Sequence, residues 1–202
     1  SPGQLTIAAS SVIENAIGGR STDYLVGNSY SNKLWGGDGD DAIFAGDGAD
    51  IVDGGRGSDT IDLSENSPIS DLLVLDVSNS GVDMVYSFEQ GISGDKIDVK
   101  GKNLTYLTSV VSENNVPVSD LFNVVLRLTG DLDSEIELSA ALGDSGGFGN
   151  INITAGGEIL VVTAASQQTG EKQNLFFVKS LLDDLDVTLL ATFSGNYLDI
   201  DS

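Results

Sequence analysis

Residues 36–62 read GGDGDDAIFAGDGADIVDGGRGSDTID. Glycines and aspartates stand side by side, separated by one or two apolar residues. Glycine weakens strands through its conformational freedom, and neighbouring aspartates repel. Cut into nines from Gly18, the chain yields GGRSTDYLV, GNSYSNKLW, GGDGDDAIF, AGDGADIVD and GGRGSDTID. The third and fifth units fit G-G-x-G-x-D-x-U-x, where U is a large apolar residue. The fourth departs only at Ala45. The first has Ser21 in place of the third glycine, and the second has Asn32 in place of the aspartate. A degenerate upstream unit, ASSVIENAI, puts Glu14 at the aspartate position and Ala16 at the apolar one.

The spacing predicts a stack of coils. In each unit the six residues G-G-x-G-x-D form a turn, and the following three form a short strand whose middle side chain points inward. Two units make a coil, so equivalent residues recur every eighteen positions. One edge then carries a column of Asp23, Asp41 and Asp59, and the other a column of Glu14, Asn32 and Asp50. Leu25, Ile43 and Ile61 are expected to stack on one sheet, and Leu34 and Val52 on the other. One apolar residue per strand is a thin core against so many glycines. A nine-residue register held over forty-five residues separates this pattern from a flexible glycine-rich linker. The absence of G-K-S/T and of any helical pattern after G-x-G excludes a phosphate-binding loop.

The composition says what fills the columns. The 202 residues include 31 acidic and 9 basic side chains, a formal charge of −22, with neither cysteine nor histidine. Such a surface repels nucleic acid and anionic membranes and attracts cations. No apolar run approaches the roughly 18 residues of a spanning helix, so no membrane insertion is expected. Without thiolate or imidazole a metal must be held by oxygen, which points to calcium or magnesium. Calcium takes six to eight oxygen ligands and would neutralise the columns. The first residues, SPGQLTIAAS, lack an initiator Met and the regions of a signal peptide, and an upstream domain is expected to precede them.

These units resemble the RTX (repeats-in-toxin) nonapeptides, which form a parallel β-roll with calcium between successive turns. The resemblance implies carboxylate ligands at Asp23, Asp41, Asp59 and Asp50, with Asn32 giving a weaker site, and carbonyl ligands at Gly37, Gly39, Gly46, Gly48, Gly55 and Gly57. Asp38, Asp40 and Asp47 stand at variable positions and read as solvated surface charge. VIENAIGG, Val12–Gly19, resembles the lead-in to the roll of serralysin-type secreted metalloproteases. GVDMVYSFEQGISGDKIDV, Gly81–Val99, is similar to the segment that follows the roll in that group. Asp83 and Asp95 match it and are carried over as metal residues, while Ser87 replaces an expected aspartate.

The expected fold class is all-β: a parallel β-roll followed by a mostly-β C-terminal lobe. Residues 1–17 are expected to lead into and cap the roll, 18–62 to form it, 63–102 to continue or cap it, and 103–202 to form the lobe. In that lobe FNVVLRLTG, SEIELSAAL, NINITAGGEILVVTAAS, QNLFFVKS and DVTLLATFSG read as strands. DLDSEIELSAAL and VKSLLDDLD are also compatible with short helices. GDSGG, Gly143–Gly147, matches the string around a protease nucleophile, but there is no histidine to act as base, so it reads as a turn. NLT at Asn103 and NIT at Asn152 match a glycosylation pattern short enough to arise by chance. The tail, residues 180–202, is similar to the C-terminal signals of type I secretion and equally readable as a last strand.

The expected function is a non-catalytic calcium-binding module of a secreted bacterial protein. It would fold on extracellular calcium, engage the type I secretion machinery, and support an upstream domain such as a serralysin-like protease or another hydrolase. The alternative is the C-terminal end of a large secreted adhesin. A polysaccharide-binding lobe is disfavoured, because Trp35 and the five tyrosines do not cluster in the sequence.

Overall fold

The computed structural model describes residues 3–6, 13–67, 69–79, 81–89, 94–102, 109–111, 118–121, 124–128, 151–153, 158–163, 172–180 and 185–194. All regular elements among them are strands. The chain divides into two units, Ser1–Lys102 with Leu190–Ile200, and Asn103–Leu189. No helix of the described residues is long and apolar enough to cross a membrane.

The first unit is a parallel roll. Strands β1 (Gly3–Thr6), β2 (Asn15–Ile17), β3 (Asp23–Val26), β4 (Lys33–Asp38), β5 (Ala42–Phe44), β6 (Ile51–Arg56), β7 (Thr60–Asp62), β8 (Leu72–Leu75), β9 (Asp83–Tyr86) and β10 (Lys96–Val99) alternate between two sheets. One sheet runs β1-β3-β5-β7-β9 and the other β2-β4-β6-β8-β10, and every neighbour is parallel. Each chain pass therefore lays one strand on each sheet, as the nine-residue period requires.

The middle residue of each short strand points between the sheets. Leu25, Ile43 and Ile61 are in register and fully buried, and Val85 extends their row. Ala16, Leu34, Val52 and Leu73 form the opposing row. Each Leu, Ile or Val of these rows contributes about 1.5–3 kcal/mol by burial. Their outward neighbours Tyr24 and Trp35 stay exposed.

The roll thus extends well past residue 62, through β8, β9 and β10. Its open edge at β9 is paired by the end of β17 (Leu185–Ser194), where Ala191, Thr192, Phe193 and Ser194 run parallel to Asp83–Tyr86. Phe193 lies on the Val85 row and meets Phe88 edge-to-face, 5.2 Å between ring centroids. A solenoid end leaves unpaired backbone groups, and this returning strand pairs one row of them. Residues 190–194 belong to the first unit, whereas the sequence placed them with the C-terminal lobe.

In the second unit β11 (Ser109–Val111), β13 (Val124–Leu128) and β15 (Glu158–Thr163) are parallel neighbours, and β16 (Lys172–Ser180) is antiparallel to β15. β12 (Val118–Leu121) and β14 (Ile151–Ile153) form a separate parallel pair. Gln173 to Val178 are all buried, the mark of a strand covered on both faces. Val178–Ser180 are strand, not helix, while DLDSEIELSAAL and GDSGG lie outside the described residues, as do Asn103 and the end of the tail.

Candidate metal centre

The turns between strands line two edges of the roll. On the first edge Asp41 Oδ1 accepts the Asp23 N–H at 2.7 Å, Asp59 Oδ1 accepts the Asp41 N–H at 2.8 Å, and Asp83 Oδ1 accepts the Asp59 N–H at 3.1 Å. On the second edge Asp50 Oδ1 accepts the Asn32 N–H at 2.7 Å. Asp71 Oδ1 then accepts the Asp50 N–H at 2.8 Å, and Asp95 Oδ1 the Asp71 N–H at 2.8 Å. Each aspartate therefore ties its coil to the one before. This adds side-chain ties between coils to the backbone pairing, which in β4 and β6 runs on into the expected turns at Gly37↔Gly55 and Asp38↔Arg56.

That leaves the second carboxylate oxygen. Oδ2 of Asp41, Asp50, Asp59 and Asp71 is buried and has no hydrogen-bond partner. Each of these residues is at most 2 % exposed. A buried anionic oxygen without a donor costs more than a hydrogen bond returns, so the arrangement is incomplete on its own. The acidities respond accordingly. Burial, opposed by the backbone hydrogen bond and reinforced by neighbouring carboxylates, pushes Asp50 up to about 7, Asp59 to about 6 and Asp71 to about 8. Burial likewise pushes Asp83 up to about 7 and raises Asp41 and Asp95.

The turns leave room for these oxygens only because of glycine. A Cβ at Gly36 would collide with Asp41 Oδ2 and with the Gly54 carbonyl, and one at Gly54 would collide with Asp59 Oδ2. Gly37 and Gly39 adopt φ of 110° and 122°, which L side chains resist, and each sits directly against the preceding coil. Gly46, Gly48, Gly55 and Gly57 repeat this conformation in the next turns.

The donor set is entirely oxygen, anionic, and desolvated, which fits a hard cation and calcium best. Among the described residues no three carboxylates converge on one point. An ion would therefore draw its remaining oxygens from the turn carbonyls and water. The fold and this chemistry define a calcium-binding β-roll. The family of the RTX calcium-binding nonapeptide repeat (4 copies) matches residues 17–52 and, one unit later, residues 26–61. That stretch carries RTX repeats, which bind calcium; the repeat segment is a non-catalytic binding module. A comparison with curated proteins found no match.

The sequence-derived residues fall as follows. Asp23, Asp41, Asp59 and Asp83 stand on one edge, and Asn32, Asp50 and Asp95 on the other. Asp23 is partly exposed and accepts the Gly19 N–H, so it differs from the aspartates within the stack. Asn32 is fully engaged by protein. Its Oδ1 accepts the Asn28 N–H at 2.8 Å, and its Nδ2 donates to the Ile13 carbonyl at 3.4 Å and to Asn28 Oδ1 at 3.3 Å. Asp40 and Asp47, read as surface charge, also bridge coils. Asp40 accepts the Ser58 N–H, and Asp47 the Asn66 N–H.

Asp71 was missed by counting nines, because the turn before it is longer. Its bond to the preceding aspartate spans 21 residues, against 18 within the repeats. The signal that finds it is the aspartate two residues before a buried aliphatic. Asp71-Leu72-Leu73 repeats Asp50-Ile51-Val52, and Asp83-Met84-Val85 does the same on the other edge.

Proposed function

We propose that this chain is the calcium-triggered folding module of a secreted bacterial protein, exported by a type I pathway and supporting an upstream domain. The observation that carries this reading is the set of four buried aspartate oxygens without partners. Asp41, Asp50, Asp59 and Asp71 supply carboxylate oxygens, and the turn carbonyls from Gly37, Gly39, Gly46, Gly48, Gly55 and Gly57 complete the shells. Asp83 and Asp95 close the two columns. Calcium supplies the positive charge that lets these carboxylates remain ionised inside the fold.

Magnitudes favour a switch. Extracellular modules bind calcium with dissociation constants of roughly 10⁻⁴–10⁻³ M. A site that binds only the folded form at tenfold ion excess adds about 1.4 kcal/mol. A handful of such sites reaches several kcal/mol, comparable with the whole stability of a small domain. Where calcium is scarce, the same carboxylates repel and the chain stays open for threading through an export channel. RTX repeats are typical of secreted bacterial proteins, which supports the location. The serralysin-like protease is the leading upstream domain, on the similarity of residues 81–99.

The test is a calcium titration followed by far-ultraviolet circular dichroism, with magnesium as the control. A cooperative gain of β signal near millimolar calcium, absent with magnesium, is expected. A roll already folded in excess chelator at neutral pH would overturn the switch.

A further inference from the structure

The turn from Leu63 to Asp71 matches no nonapeptide and lies beyond the residues matched by the repeat family. It is nevertheless held firmly in the stack. Asn66 donates its N–H to Asp47 Oδ1 at 2.7 Å and its Nδ2 to both Asp47 oxygens at 3.1 Å, pinning the turn to the coil before it. Ser70 Oγ donates to the Gly94 carbonyl at 2.6 Å, pinning it to the coil after. Within the turn Glu65 Oε2 accepts the Ile69 N–H at 2.7 Å, which fixes the orientation of its carboxylate.

The other oxygen, Glu65 Oε1, is buried and unpartnered. So are Oδ2 of Asp71, in the same turn, and Oδ2 of Asp50, on the preceding coil. Asp71 and Asp50 are each 1 % exposed. Burial first, and then neighbouring negative charges that include Glu65, push the pKa of both upward. The charges acting on Glu65 itself, from Asp95, Glu89 and Asp47, are all negative. Glu65 therefore has a fixed orientation, a buried unpartnered oxygen, and only negative charges acting on it, so the protein offers it no charge compensation.

We propose that the turn Leu63–Asp71 forms a calcium site of a different construction from the nonapeptide turns, with the side chains of Glu65 and Asp71 as ligands. In the repeats a glycine carbonyl approaches from the turn; here a glutamate side chain takes that place, and Asp50 adds its charge from the neighbouring coil. The site thereby carries one more anionic ligand than a nonapeptide site, and it binds calcium more tightly for that reason. This rests on the calcium reading of the roll. It adds that calcium binding continues past the last recognisable repeat.

The experiment compares the full chain with Glu65→Gln and Glu65→Asp by calorimetric calcium titration, counting ions and resolving classes of affinity. Glu65→Gln removes the charge, and Glu65→Asp keeps it but withdraws the carboxylate by one methylene. Both variants are expected to lose one ion, or to weaken one ion's binding roughly tenfold or more, with parental β signal at saturating calcium. If Glu65→Gln does not reach that signal, Glu65→Asp decides. Parental stoichiometry and affinity in the variants would overturn the Glu65 site while leaving the calcium reading intact. A parent chain that binds no calcium would overturn both.

Discussion

Two turns on the same edge of the roll, Gly27–Asn32 and Ala45–Asp50, solve one problem in two ways. Both end in a buried side chain of the same shape. Asn32 closes its turn with protein partners, accepting from Asn28 N–H and donating to Ile13 O and Asn28 Oδ1. Asp50 accepts the Asn32 N–H and leaves Oδ2 facing no donor. An amide brings its own protons into the turn. A carboxylate brings none and depends on an ion from solution. The Asn32 turn is therefore closed by the protein itself, whereas the Asp50 turn leaves an oxygen that the protein does not satisfy.

The strongest way to break that contrast is to remove calcium. At neutral pH, chelation is expected to abolish the β signal of the roll from the Asp50, Asp59 and Asp71 rungs onward. Acid should restore it. The folded-state values of about 6 to 8 lie above the ordinary 3.8, so the metal-free roll is most stable when these groups are protonated. That stability is full below about pH 4 and is lost as pH rises through 6 to 8. Circular dichroism in chelator across pH 4–8 checks this; a metal-free roll that melts on acidification instead would contradict it.

Converting one turn into the other is the next step. Asp50→Asn should release one calcium ion yet stabilise the metal-free roll by about 1–3 kcal/mol, by removing a buried unpaired charge. Urea unfolding with and without calcium would reveal the opposite signs. The reverse change, Asn32→Asp, buries an unpaired carboxylate oxygen against two acceptors and should cost about 1–3 kcal/mol in chelator, measured in the same way. Asp38→Asn changes an exposed carboxylate in a neighbouring turn, and the calcium midpoint of folding should not move.

The regular part of this design was legible before any coordinates. Asp41, Asp50 and Asp59 stand in columns, with Ile43, Val52 and Ile61 behind them, because the nine-residue count and the alternation of side chains leave no other arrangement. The count failed at Asp71 and Glu65, where a longer turn broke the period while the coil itself continued. It also gave Asn32 a ligand's position without revealing its amide bonds, since a coil position does not state which neighbour supplies a donor.

What the amino-acid sequence determined by itself is the coil: the period, the inward residue of each strand, the glycines that bend the turns, and an excess of carboxylate that calls for calcium. These are local properties, carried by residues a few positions apart. Only the tertiary structure decided where the coil ends and which carboxylates lack partners. Phe193 pairs its strand with β9 from more than a hundred residues away, and Asp71 Oδ2 is orphaned because no donor from any neighbouring coil reaches it. Both depend on which distant segments pack together, and no local pattern encodes that.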